Sequence, residues 1–168
     1  MHMASADLFK AAFRGHPGGV SVITADAGAG PVALTATSVS SVSVDPPLLM
    51  FSVSHQSSST ATIRAAETVV VHLLSVDELQ IAKLGATSGI DRFADSSIWS
   101  RLPTGEPHFP AARTWIRGKV VSQMDAGSST VIAVEALEIK DVADECSSAP
   151  LVYHDRTWHA LGEGSRVE

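Results

Sequence analysis

The stretch VALTATSVSSVSVDPPLLMFSV, residues 32–53, is decisive for the fold of this chain. β-branched and apolar residues are interspersed with small hydroxyl residues, and Asp45 is the only ionisable side chain. Such residues favour strands, and Pro46-Pro47 is typical of a strand boundary. Small side chains let a ligand approach the backbone closely, where N–H groups and hydroxyls can bond its polar edge. The stretch therefore indicates a sheet that suits a flat, neutral, heteroatom-rich ring better than a metal ion.

Length and composition limit the class of protein. The chain has 168 residues, 45% hydrophobic and 18% charged, which predicts one globular domain over residues 1–168, with flexible termini at 1–6 and 163–168. A net charge of −6 argues against a nucleic-acid or anionic-membrane partner. The sequence lacks an apolar run of membrane-spanning length and a signal-peptide pattern. Because the single Cys146 cannot form an internal disulfide, we expect a reducing, cytoplasmic location.

Periodicity along the chain predicts many strands and few helices. Helices are expected at 7–14, 61–66 and 76–84, the last opened by a Ser75–Glu78 capping box. Strands are expected at 20–24, 32–43, 48–53, 68–74, 115–124, 130–139, 151–153 and 158–161. Residues 48–53, apolar apart from Ser52, and residues 69–71 predict strands that are buried on both faces, and a dimer interface would supply the cover. This pattern predicts an antiparallel barrel, with a long irregular segment at 85–113.

The central motif resembles the signature of the flavin reductase-like, FMN-binding split-barrel family, T-A-N-S-x-x-S-V-S-x-D-P-P-L. The matching residues are Thr35, Ala36, Ser38, Ser41, Val42, Ser43, Asp45, Pro46, Pro47 and Leu48. Thr37 stands where Asn is usual, and in the preceding PGGVSVITA stretch Gly18 replaces a Thr. The resemblance implies a mainly β, antiparallel six-stranded Greek-key split barrel with a few short helices. It also implies a homodimer with flavin near the subunit boundary.

The resemblance assigns a set of flavin-binding residues. The ring edge would meet Thr35, Ala36, Thr37 and Ser38, largely through backbone N–H groups. The wall and the phosphate site would be completed by Ser41, Val42, Ser43, Ser52, Ser54, Ser58, Ser59, Thr60, Arg92 and Phe93. Hydroxyl residues at a helix start suit a phosphate, although a solvated helix cap is an equally simple interpretation. Arg92 and Phe93 are also compatible with a surface ion pair and a loop aromatic that packs in the core.

The expected nicotinamide site departs from the family pattern. No G-x-G-x-x-G follows a strand, which excludes a Rossmann fold. Family reductases often carry Gly-Asp-His near the second-to-last hairpin, and this chain has Gly127-Ser128-Ser129. Ser129 and His154 are therefore the candidate substrate-binding residues. The other histidines lack metal-chelating spacing, and His72 is interpreted as a hydrogen-bonded core residue.

The resemblance implies an NAD(P)H-dependent flavin reductase that supplies reduced flavin to a partner monooxygenase. FMN or FAD would be the flavin, and NADH or NADPH the electron donor. No catalytic side chain is predicted, because the cofactors carry the chemistry and the protein orients them. One alternative is a split-barrel protein that binds flavin, or a flavin-like cofactor, without efficient NAD(P)H turnover. Another is a non-catalytic barrel that binds a different small molecule or merely dimerises.

Overall fold

The computed structural model describes residues 3–141 and 148–168, so Cys146 lies outside the described residues. The helices in the described residues are α1 (Ala6–Arg14), α2 (Thr60–Ala65) and α3 (Leu79–Ala86), with 3-10 turns at Val76–Glu78 and Glu163–Ser165. The strands are β1 (Gly18–Gly19), β2 (Ser21–Asp26), β3 (Pro31–Ala36), β4 (Ser40–Val44), β5 (Pro47–Ser54), β6 (Thr68–Leu73), β7 (Ser100–Arg101), β8 (Pro107–His108), β9 (Thr114–Ala126), β10 (Ser129–Lys140), β11 (Leu151–His154) and β12 (Thr157–Ala160). The prediction of flexible termini stays a prediction.

The main sheet is antiparallel and, in the described residues, has seven strands in the order β3-β2-β6-β9-β10-β5-β4. It has one strand more than predicted because the extended run expected at 32–43 is broken after Ala36 and resumes at Ser40. Ser38 lies in the break and is hydrogen-bonded to the backbone of Ser52 in β5. The prediction of a mainly β, antiparallel fold with a few short helices is confirmed.

A smaller sheet, β1-β11-β12, joins the main sheet at one end. Val20 N–H donates to Leu151 O at 3.1 Å, and Leu151 N–H donates to Leu74 O at 3.2 Å. Leu74 N–H in turn donates to Val20 O at 3.1 Å. These bonds bring the carboxyl-terminal hairpin next to the start of the chain, where Gly18 pairs with Tyr153.

The two sides of β5 differ in burial within one chain. Leu49, Phe51 and Val53 are buried in the core, whereas Met50 is 41% exposed and Ser54 is exposed. A single chain therefore buries one face of this strand, as expected of alternating side chains in a half-exposed sheet. That a second copy of the chain covers the other face stays a prediction.

β6 is buried on both faces, but the source of the cover differs from the expectation. Val69 and Val71 pack in the interior core, and Val70 packs on the opposite face against Leu102 and Trp115. Leu102, in the segment between α3 and β9, and Trp115, in β9, supply this cover from within the chain. The prediction that a dimer interface covers β6 is therefore wrong.

The capping box before α3 is confirmed. Ser75 N–H donates to Glu78 Oε2 at 3.1 Å, and Glu78 is 3% exposed. The first turn of the predicted helix is 3-10 rather than α. No helix within residues 3–141 and 148–168 combines the length and the apolar character that crossing a lipid bilayer requires.

His72 is the buried core histidine that the sequence predicts. The ring is fully buried, its Nδ1 lies 2.9 Å from Val22 O, and its Nε2 accepts a hydrogen bond from Phe109 N–H at 3.0 Å. These partners fix the neutral ring with its proton on Nδ1. Desolvation is the main cause that lowers the pKa of His72 to about 4, with a further contribution from His108.

We expect the free energy of unfolding to decrease as the pH is lowered from about 6.5 to about 4. Unfolded His72 takes up a proton at its ordinary pKa, whereas the folded ring stays neutral until about pH 4. The loss amounts to about 3 kcal/mol over this range. Urea unfolding of the wild type and of His72→Gln at pH 7, 6 and 5 measures it. The His72→Gln variant is less stable at pH 7, and its free energy of unfolding should lose most of its dependence on pH. If the free energy of the variant changed with pH as much as that of the wild type, this account of His72 would be refuted.

Candidate functional site

The predicted ring-edge segment presents mainly backbone. The Thr35 hydroxyl donates to Ala82 O in α3 at 2.7 Å, and the Ala36 side chain is 8% exposed in the core. Ser38 Oγ accepts a hydrogen bond from Ser52 N–H at 3.0 Å. Thr37 alone in this segment has an exposed side chain. That residues 35–38 bind a ligand largely through backbone groups stays a prediction.

A cavity of about 140 Å³ lies beside β3, and we call it the Arg92 pocket. Its lining includes Ala33, Ser58, Ser59, Arg92 and Phe93, so four predicted flavin-binding residues meet there. Phe93 also packs edge-on against Trp99, with ring centroids 4.9 Å apart. The interpretation of Phe93 as a core-packed aromatic and its proposed place at the flavin site are therefore compatible.

Arg92 is held by backbone carbonyls rather than by an acid. Its Nη1 donates to Ala33 O and to Ser59 Oγ, and its Nε and Nη2 donate to Thr87 O at 3.2 and 3.0 Å. Within residues 3–141 and 148–168, Arg92 makes no salt bridge. Desolvation lowers the pKa of Arg92 below its ordinary value. A half-buried guanidinium that makes no salt bridge, beside the Ser58 and Ser59 hydroxyls, fits a phosphate group. The Asp91 carboxylate also lines this pocket.

The hydroxyl residues before α2 act differently from simple caps. Ser59 is the N-cap residue, but its hydroxyl donates to Ala33 O at 3.1 Å and does not cap the helix. The Ser57 hydroxyl instead accepts from Ser59 N–H at 3.3 Å, and the Thr60 hydroxyl donates to Ser54 O. A carbonyl of the neighbouring strand therefore competes with the helix amino terminus for the Ser59 hydroxyl.

A second cavity of about 380 Å³ lies between α1 and the β11–β12 hairpin, and we call it the α1 pocket. Its residues include the aromatic side chains of Phe9, Phe13 and Tyr153, the cations Lys10, Arg14 and Arg156, and also His16, Thr37, His154 and Asp155. Three cations against one carboxylate form a locally basic site on a chain of net charge −6. This charge balance suits an anionic ligand with an aromatic ring.

The hairpin turn at the α1 pocket is unusual. Asp155 and Arg156 have φ values of 48° and 59°, a conformation that side-chain-bearing residues adopt at a cost. Asp155 N–H donates to Arg14 O at 3.0 Å, which fastens the turn to the end of α1. His154, predicted to bind substrate, is thereby brought to the same cavity as Thr37.

Other predicted residues lie apart from these two cavities. Ser41, Val42 and Ser43 lie on β4 at the edge of the sheet, where the pairing with β5 is irregular and Val42 is 57% exposed. Ser129 pairs with Ser54 at the end of β10. In the described residues, no three His, Cys, Asp or Glu side chains are placed to hold a metal ion.

Sequence reasoning missed the contribution of α1. The spacing of Lys10 and Arg14, four residues apart on a helix, places both cations on one side and was the available signal. Their approach to His154 joins residues about 140 positions apart in the chain, which no local pattern reveals.

Gly18 and Gly19 offer a matched test of the packing around Thr37. A Cβ at Gly18 would lie 2.9 Å from Thr37 Cβ and 3.0 Å from Thr37 O, whereas a Cβ at Gly19 would meet nothing within 4 Å. We expect Gly18→Ala to lower the free energy of unfolding by about 1–3 kcal/mol and to weaken flavin binding, because Thr37 must move. Gly19→Ala should change neither. Urea unfolding and flavin titration measure both variants, and equal effects would contradict this packing.

Comparisons with known proteins agree with this geometry. The family model described as "Flavin reductase like domain" matches residues 13–162. An NADH:FMN oxidoreductase from Rhodococcus qingshengii is 43% identical over 152 residues, 90% of this chain and 79% of that protein. The reductase component of a 4-nitrophenol 4-monooxygenase/4-nitrocatechol 2-monooxygenase from Rhodococcus opacus is 28% identical over 151 residues, 88% of this chain and 78% of that protein.

A solved structure agrees with the fold as well. The flavin reductase domain protein from Arthrobacter sp. FB24 superposes with a TM-score of 0.86 at 28% identity, over 94% of this chain and 96% of that one. The family model covers most of the chain. This chain therefore belongs to the flavin reductase-like family.

Proposed function

We propose that this protein reduces FMN with NADH and delivers the reduced flavin to a partner monooxygenase. The observation that carries the proposal is the position of the two cavities along one stretch of chain. Ala33 lines the Arg92 pocket and Thr37 lines the α1 pocket, and four residues of extended chain span at most about 13 Å. A reaction between two bound molecules needs two neighbouring sites, and this short spacing supports the proposal.

The Arg92 pocket is the proposed binding site of the phosphate end of the flavin. Arg92, Ser58 and Ser59 would hold the phosphate, and residues 35–38 would bond the ring edge. A cavity of about 140 Å³ is small for a ligand pocket and suits a terminal phosphate rather than an adenosine. FMN is therefore the favoured flavin, and the FMN-linked name of the Rhodococcus qingshengii relative supports this choice.

The α1 pocket is the proposed site of the nicotinamide nucleotide. Lys10, Arg14 and Arg156 would meet its phosphates, and His154 and Tyr153 would contact its rings or hydroxyls. When bound together, the two cofactors supply hydride transfer, and the chain contributes orientation and exclusion of water. The name of the same relative supports NADH as the donor.

The direct test is consumption of NADH and NADPH by the purified protein, with and without FMN or FAD. We expect NADH oxidation that saturates with FMN and is slower with NADPH. Flavin binding without NADH oxidation would reject the reductase and favour the alternative of a flavin-binding protein. A preference for FAD would overturn the assignment of the Arg92 pocket to a terminal phosphate.

The proposed partner is a flavin-dependent monooxygenase, and the proposed location is the cytoplasm. The Rhodococcus opacus relative is named as the reductase component of a monooxygenase, which supports a monooxygenase partner.

We expect Arg92→Ala to weaken FMN binding about 10- to 100-fold, the range for losing a charged hydrogen bond. Riboflavin, which lacks the phosphate, should bind the variant and the wild type with similar affinity. Fluorescence titration with both flavins measures the effect, and Arg166→Ala, at an exposed ion pair, is the matched control. If the affinity for riboflavin falls as much as that for FMN, Arg92 only supports the fold.

We also propose that two copies associate through the outer face of β5, β9 and β10. Met50 pairs with Ala133, and Val131 pairs with Met124, so these apolar side chains share one side of the sheet. Met50 is 41% exposed and Met124 is 60% exposed. Such an interface would bring Ser41, Val42 and Ser43 next to the subunit boundary, where the family resemblance places the flavin.

We expect Met50→Lys to convert a dimer into a monomer, because it introduces a charge at the centre of this apolar face. Light scattering after size-exclusion chromatography measures the mass. Val167→Lys, at a side chain that is 95% exposed near the carboxyl terminus, is the control and should leave the mass unchanged. A monomeric wild type would refute the proposed dimer.

A further inference from the structure

The carboxyl end of α3 packs closely on β3. Gly85, in the last turn of α3, is buried, and a Cβ at this position would collide with Thr35 Oγ1 and lie 3.1 Å from Thr35 N. The Thr35 hydroxyl donates to Ala82 O in the same helix at 2.7 Å. Glycine costs a helix about 1 kcal/mol relative to alanine, and this close approach accounts for a glycine here. The end of α3 is therefore held at a defined distance from β3.

Thr87 follows α3, and two hydrogen bonds fix it on the last turn of the helix. Its N–H donates to Leu84 O at 3.3 Å, and its hydroxyl donates to Lys83 O at 2.7 Å. The carbonyl oxygen of Thr87 in turn accepts from Arg92 Nε at 3.2 Å and from Arg92 Nη2 at 3.0 Å. The Arg92 guanidinium thus lies at the carboxyl end of a helix, where the helix dipole favours a cation.

The hydrogen bonds of Arg92 leave one donor for a ligand. A guanidinium has five N–H groups, two on each Nη and one on Nε. Nη1 donates to Ala33 O and to Ser59 Oγ, while Nε and Nη2 each donate once to Thr87 O. Within the part of the chain that the structure describes, one N–H of Nη2 is left without an acceptor. The donor that remains for a phosphate therefore belongs to the nitrogen that Thr87 O holds.

The carboxylate that lines the Arg92 pocket has a different partner. Asp91 Oδ1 accepts a hydrogen bond from Phe93 N–H at 2.9 Å. Among the described residues, no salt bridge joins Asp91 to Arg92. A phosphate could therefore accept the remaining N–H of Nη2 without first displacing a carboxylate from it.

We propose that Thr87 is a positioning residue for the flavin. Its hydroxyl fixes the last turn of α3, and its carbonyl holds Arg92 Nη2 where the remaining N–H meets the flavin phosphate. The Thr87 side chain is exposed and acts through Arg92, which lines the pocket. This inference rests on the proposed function and extends it from the pocket to the helix that supports it.

Two substitutions at position 87 test the role of the hydroxyl. Thr87→Val removes the bond to Lys83 O, and valine readily adopts the extended backbone of this residue. We expect Thr87→Val to weaken FMN binding about 3- to 10-fold and to leave riboflavin binding unchanged, because only FMN carries the phosphate. The conservative variant Thr87→Ser keeps a hydroxyl and should recover the wild-type affinity for FMN. Fluorescence titration with both flavins measures these affinities.

A double-mutant cycle tests whether Thr87 acts through Arg92. In the Arg92→Ala background, Thr87→Val should cause no further loss of FMN affinity. Nitrogen NMR adds a readout that needs no ligand. The Arg92 Nε–H signal, identified by its loss in Arg92→Ala, should exchange with water slowly in the wild type and in Thr87→Ser, and faster in Thr87→Val.

The outcomes separate this inference from the proposed function. Thr87→Val overturns the inference alone if it binds FMN as tightly as the wild type, if it loses affinity for riboflavin to the same extent, or if it leaves the Nε–H exchange unchanged. An equal loss of FMN affinity with and without Arg92 has the same consequence. If Arg92→Ala loses no FMN affinity, or if the wild type binds no flavin, the proposed phosphate site is wrong and the inference falls with it.

Discussion

The pair of hydrogen bonds between Ser38 and Ser52 is the constraint on which the site depends. Ser52 N–H donates to Ser38 Oγ at 3.0 Å, and the Ser38 hydroxyl in turn lies 3.3 Å from Ser52 O. These bonds fasten the break between β3 and β4 onto β5, so that the chain leaves one edge of the sheet at a defined point. Thr37 is thereby held against Gly18 and the α1 pocket, while Ala33 remains beside the Arg92 pocket.

The remaining polar contacts around the site reinforce this arrangement rather than compete with it. Arg92 bonds carbonyls of β3 and of the segment after α3, and Ser59 bonds the same carbonyl of Ala33. The guanidinium is thus fixed by neutral groups and makes no salt bridge in the described residues. A cation that is already fixed in place raises affinity for an anion, because little reorganisation is needed on binding. The proposed phosphate site follows from this geometry.

Local sequence patterns predicted the features that depend mainly on the type and spacing of neighbouring side chains. The apolar run of β6, the capping box at Ser75 and the core position of His72 follow from side-chain type and spacing. Contacts between distant segments were not predictable. The cover of Val70 by Leu102 and Trp115 and the approach of His154 to α1 depend on how irregular segments pack. The hydrogen bond from the Ser59 hydroxyl to Ala33 O was not predictable either, since a sequence pattern cannot show which carbonyl lies nearby.

A crystal structure of the protein with FMN tests the central claim most directly. The account predicts the FMN phosphate within hydrogen-bonding distance of Arg92 and of Ser58 or Ser59, with the ring edge on the backbone of residues 35–38. The α1 pocket should then remain accessible beside the ring. A phosphate bound instead by Lys10 and Arg14, or a ring placed away from residues 35–38, would contradict the account.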